Sequence, residues 1–352
     1  MFKIAVLGAG YMGSAITFPL SENGHCVNLW GTWLDDEIID SSLKGYHPKL
    51  KKALPESVRL FYSDSLEKVV QDVDIIFIGI TSDGFLPVFQ KLLDCIDKNY
   101  YFFKLTKGLV NHNGKIRRIT ETAEELFREK FSDEDFLWTT IGGPVKAVEL
   151  SDKIPTASVY AYNNKKLKDT PYNFSTEYYS VTTSDDIVGV EISSAFKNVY
   201  AIATGICDGI YSKNRKGMYH NFKAFIFNQA MIEMSNIIEA AGGRKETVFN
   251  LAGTGDFYAS SLSGRNRRLG DFIGSGLKPS IAYKNMHQEG EIAEGYLTLK
   301  IGYRWVNDIK KNFREELPLL SSLYNIIFNY HDPTEELIRF VLRIKNNFKL
   351  DK

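Results

Sequence analysis

The sequence predicts an α/β protein: an N-terminal Rossmann-like doubly wound sheet over residues 1–187, followed by an all-helical C-terminal domain over residues 188–352. Three observations carry that expectation. Short apolar, β-branched runs alternate with helical stretches through the first half of the chain. A glycine-spaced turn, Gly8-Ala9-Gly10-Tyr11-Met12-Gly13, joins the first run to the first helical stretch. From about Asp185 onward long helical patterns take over.

The elements follow in order. Residues 2–7 suit a buried parallel strand, and Ala15 to Leu20 carries helix-like spacing. Between them each glycine has its own task. Gly8 makes the turn, Gly10 lets a pyrophosphate approach the backbone, and Gly13 lets the helix lie close to the sheet. The helix N-terminus offers N–H groups to phosphates. The bland alternative is a tight strand-to-helix turn with no ligand.

Residues 25–30 read as the second strand. The acidic residue that would bond a ribose 2′-hydroxyl at its end is missing, because Trp30-Gly31-Thr32-Trp33 stands there. Asp35 and Asp36 come slightly late, and no arginine replaces them, so the choice between NAD and NADP stays open. Further strands are expected at residues 58–61, 74–80 after a helical stretch at 65–73, 100–105, 137–141 and 156–161. Residues 114–130 read as one amphipathic helix with a basic, solvated start. Helical patterns then cover 188–205, 221–241, 291–311, 317–330 and 333–347. The boundary near 184–190 lacks a Pro/Gly-rich linker, which predicts directly packed domains with the ligand in a cleft between them.

Composition narrows the function class. Lysine plus arginine and aspartate plus glutamate both number 43 in 352 residues, which argues against general polyanion binding such as nucleic acid. The three cysteines, Cys26, Cys95 and Cys207, are widely separated and lack metal-site spacing, so no metal is expected and a reducing compartment suits them. The first strand begins at residue 2 and no apolar stretch reaches membrane-span length. The expectation is a soluble cytoplasmic protein without membrane insertion.

Three stretches place charge where a structural segment would not need it. Lys107, in Leu105-Thr106-Lys107-Gly108, follows a buried strand at the sheet edge where open α/β proteins hold ligands; a surface-loop lysine is the alternative. In residues 191–205 a narrow face of Glu191, Ser194, Asn198, Ala201 and Gly205 runs beside Lys197. A lysine in so apolar a helix must be paired or lose its proton, and one so placed can exchange protons near neutral pH. The competing reading is a structural ion pair with Glu191. In residues 250–270 a glycine-rich turn leads to Asp256, and Arg265-Asn266-Arg267-Arg268 follows Gly264. A guanidinium fork with amide donors suits a phosphomonoester.

In this order, "GAGYMGSA", "LTKGL", "GGPVKAVEL", "VEISSAFKNVYAIATGICDG", "GTGDFYASSLSGRNRRLG" and "AEG" at Ala293 to Gly295 resemble the NAD(P)-dependent glycerol-3-phosphate dehydrogenase family across nearly the whole chain. The resemblance implies an oxidoreductase that interconverts dihydroxyacetone phosphate and sn-glycerol 3-phosphate with NAD or NADP, supplies phospholipid synthesis and works as a homodimer. It places the cofactor against Gly8, Gly10, Tyr11, Met12 and Gly13, with Thr32 at the adenosine ribose. Ala147, Ile292 and Glu294 match positions near the nicotinamide, and Lys107 and Arg265 also count as cofactor contacts. Lys107 and Lys197 would flank the reacting carbon, with Lys197 transferring the proton and Asp256 holding it. Arg265 and Asn266 would bind the substrate phosphate, the backbone at Gly143 and Gly264 would close around the substrate, and Ser260 stands where some members carry a hydroxyl. Two lysines can do this chemistry without a metal.

Val145-Lys146 depart from the serine or threonine and aromatic that follow Gly-Pro in many members, and Gly79-Ile80-Thr81-Ser82 departs from the frequent Val-Pro-Ser. Thr32 stands where an arginine is familiar. Two other readings share parts of the pattern: a β-hydroxyacid or ketopantoate-type reductase, and a non-catalytic nucleotide-binding sensor.

Overall fold

The computed structural model describes residues 1–213 and 220–350. The chain divides into two compact units, Met1–His112 with Arg118–Glu191, and Asn113–Arg117 with Ile192–Lys352.

The strands are β1 Lys3–Leu7, β2 Cys26–Trp30, β3 Arg59–Phe61, β4 Ile75–Ile78, β5 Tyr101–Lys104, β6 Leu109–His112, β7 Lys115–Arg118, β8 Trp138–Gly142, β9 Thr156–Tyr162 and β10 Tyr179–Ser184. All but β6 and β7 form one sheet in the order β10-β9-β8-β5-β4-β1-β2-β3. Every neighbouring pair in it is parallel except β8 and β9. The sequence order reverses between β1 and β4, and ligands of such sheets bind beyond the carboxyl ends of the strands at that point. β1 shows why its residues read as an unbroken apolar run. Ile4 and Val6 enter one core and Ala5 and Leu7 the other, so both faces are buried.

The first unit carries α1 Tyr11–Glu22, α2 Asp36–Leu43, α3 Leu66–Val70, α4 Ser82–Cys95, α5 Ile119–Lys130 and α6 Ala147–Ser151. One expectation fails here. Lys115 to Arg118 is strand, and the helix begins only at Ile119. Of the basic start, Lys115 is exposed as expected and Arg117 half-buried, but Arg118 is buried and paired with Glu121 and Glu191. β10 was not expected: its Ser/Thr-rich sequence lacks an apolar run, yet it pairs with β9 at the sheet edge.

The longest helix, α7 Ile187–Lys213, contains the division between the units, which falls at Glu191. The second unit continues with α8 His220–Ala240, α9 Asp256–Leu262, α10 Arg265–Gly274, α11 Pro279–Gln288, α12 Glu294–Ile309, α13 Pro318–Phe328 and α14 Pro333–Leu350. Helices α9 to α11 lie between residues 241 and 291, where the sequence pattern predicts no helix. Their glycines serve packing. A Cβ on Gly205 would lie 1.9 Å from the Arg267 carbonyl oxygen, and one on Gly270 would lie 2.0 Å from that of Ile202. Only glycine permits α7 and α10 to approach so closely, and this approach sets the position of the α10 N-terminus.

Candidate active site

In the first unit the turn after β1 has the construction that a pyrophosphate requires. Gly8 has φ +104°, and a Cβ there would meet the Gly79 carbonyl oxygen at 2.7 Å; one on Gly13 would lie 2.0 Å from the Gly8 oxygen. These two glycines are fixed by packing. Gly10 is different, because a Cβ there would meet only the Lys49 ammonium, at 4.0 Å. α1 starts at Tyr11 without a side-chain cap, which leaves its N-terminal N–H groups directed at this opening.

The loop after β2 is tied to the same turn through Asp35. Its Oδ2 accepts from the Thr32 hydroxyl at 2.8 Å, the Thr32 N–H at 3.0 Å and the Ala9 N–H at 3.4 Å. Thr32 is buried, and its hydroxyl proton is committed to Asp35.

Lys107 is half-buried just beyond the carboxyl end of β5, after Thr106, whose hydroxyl donates to the Ile78 carbonyl on β4. A second lysine, Lys104, was missed by sequence reasoning. It is fully buried, and its ammonium lies 2.7 Å from Glu191 Oε1. Arg118 reaches Glu191 Oε2 at 3.2 Å, and the Thr120 N–H donates to Oε1. Glu191 is therefore committed to Lys104 and Arg118, and the expected alternative partner for Lys197 is taken. Burial would raise the Glu191 carboxyl, but the two cations outweigh it and hold it below its ordinary value. Burial pushes the Lys104 ammonium down against the pull of Glu191. A lysine ending an apolar strand was the available signal.

Gly143, at φ +137° after β8, sits where a Cβ would meet the Ala157 carbonyl oxygen at 2.7 Å, and Ala147 is the buried first residue of α6. Lys146 precedes that helix without a side-chain capping bond, and its ammonium lies 3.3 Å from Glu149.

In the second unit Lys197 is only 6% exposed. Its ammonium donates to Asp256 Oδ1 and to the Ser260 hydroxyl, both at 2.8 Å. Asp256 and Ser260 stand one helical turn apart at the start of α9, so one face of that helix presents both acceptors.

Asn198, beside Lys197, donates to Glu294 Oε2 at 3.3 Å, and Asn266 donates to the Asn198 side-chain oxygen at 2.9 Å. Asn266 also accepts from the Gly295 N–H at 2.8 Å. One asparagine pair thus joins α7, α10 and the start of α12, where Ile292 is half-buried just ahead of the helix. Gly264, at φ +129°, precedes α10 without a side-chain cap, and Arg265 opens that helix half-buried. The neighbouring arginines have structural partners: Arg267 pairs with Asp208 at 2.7 Å, and Arg268 with Glu291 and Glu289. Residue type and spacing alone do not separate these arginines from Arg265; the family resemblance singles out Arg265 and Asn266.

Two family models cover most of the chain. The model for the N-terminus of NAD-dependent glycerol-3-phosphate dehydrogenase matches residues 3–168, and that for its C-terminus matches residues 186–338. The NADP(+)-dependent glycerol-3-phosphate dehydrogenase of Archaeoglobus fulgidus is 34% identical over 92% of this chain and 95% of its own length. The chain belongs to the glycerol-3-phosphate dehydrogenase family.

Other members of the family agree. The glycerol-3-phosphate dehydrogenase [NAD(P)+] of Clostridium botulinum is 29% identical over 99% of each chain. The crystal structure of glycerol-3-phosphate dehydrogenase from Coxiella burnetii matches with a TM-score of 0.83 and 27% identity, covering 97% of this chain and 98% of that one. The residues present fit the family's dinucleotide. The uncapped start of α1, the packed Gly8 and Gly13 and the open Gly10 are the features a pyrophosphate needs. Among the described residues no helix is long and apolar enough to cross a membrane.

Proposed function

We propose that this protein interconverts dihydroxyacetone phosphate and sn-glycerol 3-phosphate with NAD(P)H, providing glycerol phosphate for phospholipid synthesis. The observation that carries this reading is the buried cluster of Lys197, Asp256 and Ser260. When bound, the nicotinamide supplies the hydrogen and two electrons that reduce the carbonyl carbon. Reduction leaves negative charge on the carbonyl oxygen, which a nearby ammonium stabilises and then protonates. Asp256 and Ser260 hold two of the Lys197 donors, which fixes the ammonium and keeps it charged until it transfers a proton to that oxygen.

Gly8, Gly10, Tyr11, Met12 and Gly13 hold the pyrophosphate in this proposal, with Thr32 at the adenosine ribose. Ala147, Ile292 and Glu294 are its nicotinamide contacts. Lys107, at the carboxyl end of the strands, is its second cation toward cofactor and substrate. Arg265, opening α10 behind Gly264, supplies a guanidinium beside helix N–H groups, a combination suited to a phosphate. Arg265 is also retained as a cofactor contact. Asn266 and the backbone at Gly143 and Gly264 complete the proposed substrate contacts. A homodimer and a cytoplasmic location belong to the same proposal; the three free cysteines support a reducing compartment.

The test is the loss of reduced-nicotinamide absorbance when the protein meets dihydroxyacetone phosphate, with NADH and NADPH run separately. Oxidation that disappears in Lys197→Ala is expected. A folded protein that reduces 2-keto acids but no triose phosphate would overturn the reading.

A further inference from the structure

Lys49 plays no part in the site as described so far, yet it borders the opening at Gly10. Its position is set by a tight turn seated on the glycine turn. His47 is fully buried, and its Nε2 lies 3.1 Å from the Ala9 carbonyl oxygen while the Leu50 N–H donates to Nδ1. These contacts assign the neutral Nε2–H tautomer, and burial pushes His47 down, which favours the neutral ring. The turn is closed by His47 N–H to the Lys52 carbonyl at 2.7 Å and Lys51 N–H to the His47 carbonyl at 2.8 Å.

From this turn the Lys49 ammonium reaches toward Gly10. It stands 4.0 Å from the place a Gly10 Cβ would occupy and 5.9 Å from the centroid of the Tyr11 ring. Lys49 forms a loose ion pair with Asp35 Oδ1, 3.9 Å away and beyond hydrogen-bond distance. The other oxygen of Asp35 is committed to Thr32 and Ala9.

The end of β2 adds a second, independent observation. An acidic side chain there would accept the ribose hydroxyls of an unphosphorylated adenosine. Gly31 occupies that place, and a Cβ on it would lie 2.8 Å from Ile39 Cγ1 and 3.2 Å from Asp35 Cβ, so the packing admits no side chain. The adenosine side of the turn therefore offers a cation where an acidic acceptor is common.

We propose that Lys49 binds a phosphate of the cofactor. The inference rests on the dinucleotide reading of the glycine turn. Two phosphates share the required chemistry, the pyrophosphate and the 2′-phosphate that distinguishes NADP, and a single titration series separates them.

The experiment is isothermal titration calorimetry without substrate, on wild type, Lys49→Ala, Lys49→Gln and Lys49→Arg, with NADP⁺, NAD⁺, 2′,5′-ADP and ADP as probes. Circular dichroism checks each variant for folding, and Lys49→Gln is read if Lys49→Ala does not fold. Loss of a charge-assisted contact weakens binding about tenfold or more, with Lys49→Arg restoring most of it. A loss confined to NADP⁺ and 2′,5′-ADP assigns the lysine to the 2′-phosphate. An equal loss for NAD⁺ and ADP assigns it to the pyrophosphate. Unchanged affinities in protein that binds the probes overturn the role of Lys49 and leave the dinucleotide reading standing. Wild type that binds none of the four overturns both.

Discussion

The ammonium of Lys197 lies 2.8 Å from Asp256 Oδ1, and both side chains are almost wholly withdrawn from solvent. A buried ammonium is stable only beside an opposing charge, and in the proposed reaction Asp256 supplies that charge to the proton donor Lys197. Asp256→Asn should lower the turnover of ketone reduction by orders of magnitude and move the alkaline limb of its pH profile to lower pH. Ser260→Ala removes a neutral acceptor worth about 1 kcal/mol and should cost far less. Steady-state rates across pH for both variants check this. An unmoved alkaline limb in Asp256→Asn would show that the pair is only structural.

Glu191 has a different function from the one its nearness to Lys197 in sequence suggests. Held by Lys104 and Arg118 in the first unit, it is a buried anion with two cationic partners. Glu191→Gln leaves those cations uncompensated and should destabilise the unit by about 3–5 kcal/mol. The sign with pH follows from the lowered carboxyl. Its contribution is present above the unfolded value near 4.5 and is lost as pH falls through the lower folded value. Urea unfolding of wild type and Glu191→Gln at pH 7 and in acid measures both effects.

Glu233 behaves in the opposite sense. It is fully buried in the second unit and accepts from Tyr200, Gln229 and the N–H groups of Leu319 and Leu320 at the start of α13. Burial outweighs those donors and pushes its carboxyl up to about 7 from an ordinary 4.5. A raised carboxyl makes the folded state bind more protons than the unfolded one. The stabilisation is complete below 4.5 and is lost as pH rises through about 7. Stability of Glu233→Gln should therefore depend less on pH than that of wild type between those values, as denaturation midpoints will show.

The approach of α7 and α10 gives a steric test. Gly270→Ala places a methyl 2.0 Å from the Ile202 carbonyl oxygen, so the helices must part. Overpacking of this kind costs about 1–3 kcal/mol or more. Because α10 carries Arg265 at its N-terminus, the KM for the phosphorylated substrate should rise several-fold, and the KM for the cofactor should rise with it where Arg265 also contacts the cofactor. An unchanged KM for the phosphorylated substrate would argue against Arg265 as a substrate-phosphate ligand.

Local pattern was enough to read much of this molecule. β1, β4 and β5 are buried on both faces, so their residues form continuous apolar runs visible in one dimension. Gly13 is required by its contact with Gly8 within one strand–turn–helix unit, whereas Gly8 is also pressed by Gly79 from beyond β4 and is legible only through the glycine spacing; α7 announces itself by length and period. The polar β10 and the glycine-bearing α10 lack such signals. β10 is held by pairing with β9, and α10 by backbone contact with α7.

By itself the sequence determined the alternating strands, the glycine turn, the helical second half and the set of charged residues available for chemistry. Only the tertiary structure decided how those charges pair. It gave Glu191 to Lys104 and Arg118, Asp256 to Lys197, and Asp208 and Glu291 to the two arginines that follow Arg265 and Asn266. The physical reason is range. Secondary structure follows from neighbours within a few residues, whereas a buried charge is stable only with its partner in place, and these partners come from 23 to 87 residues away.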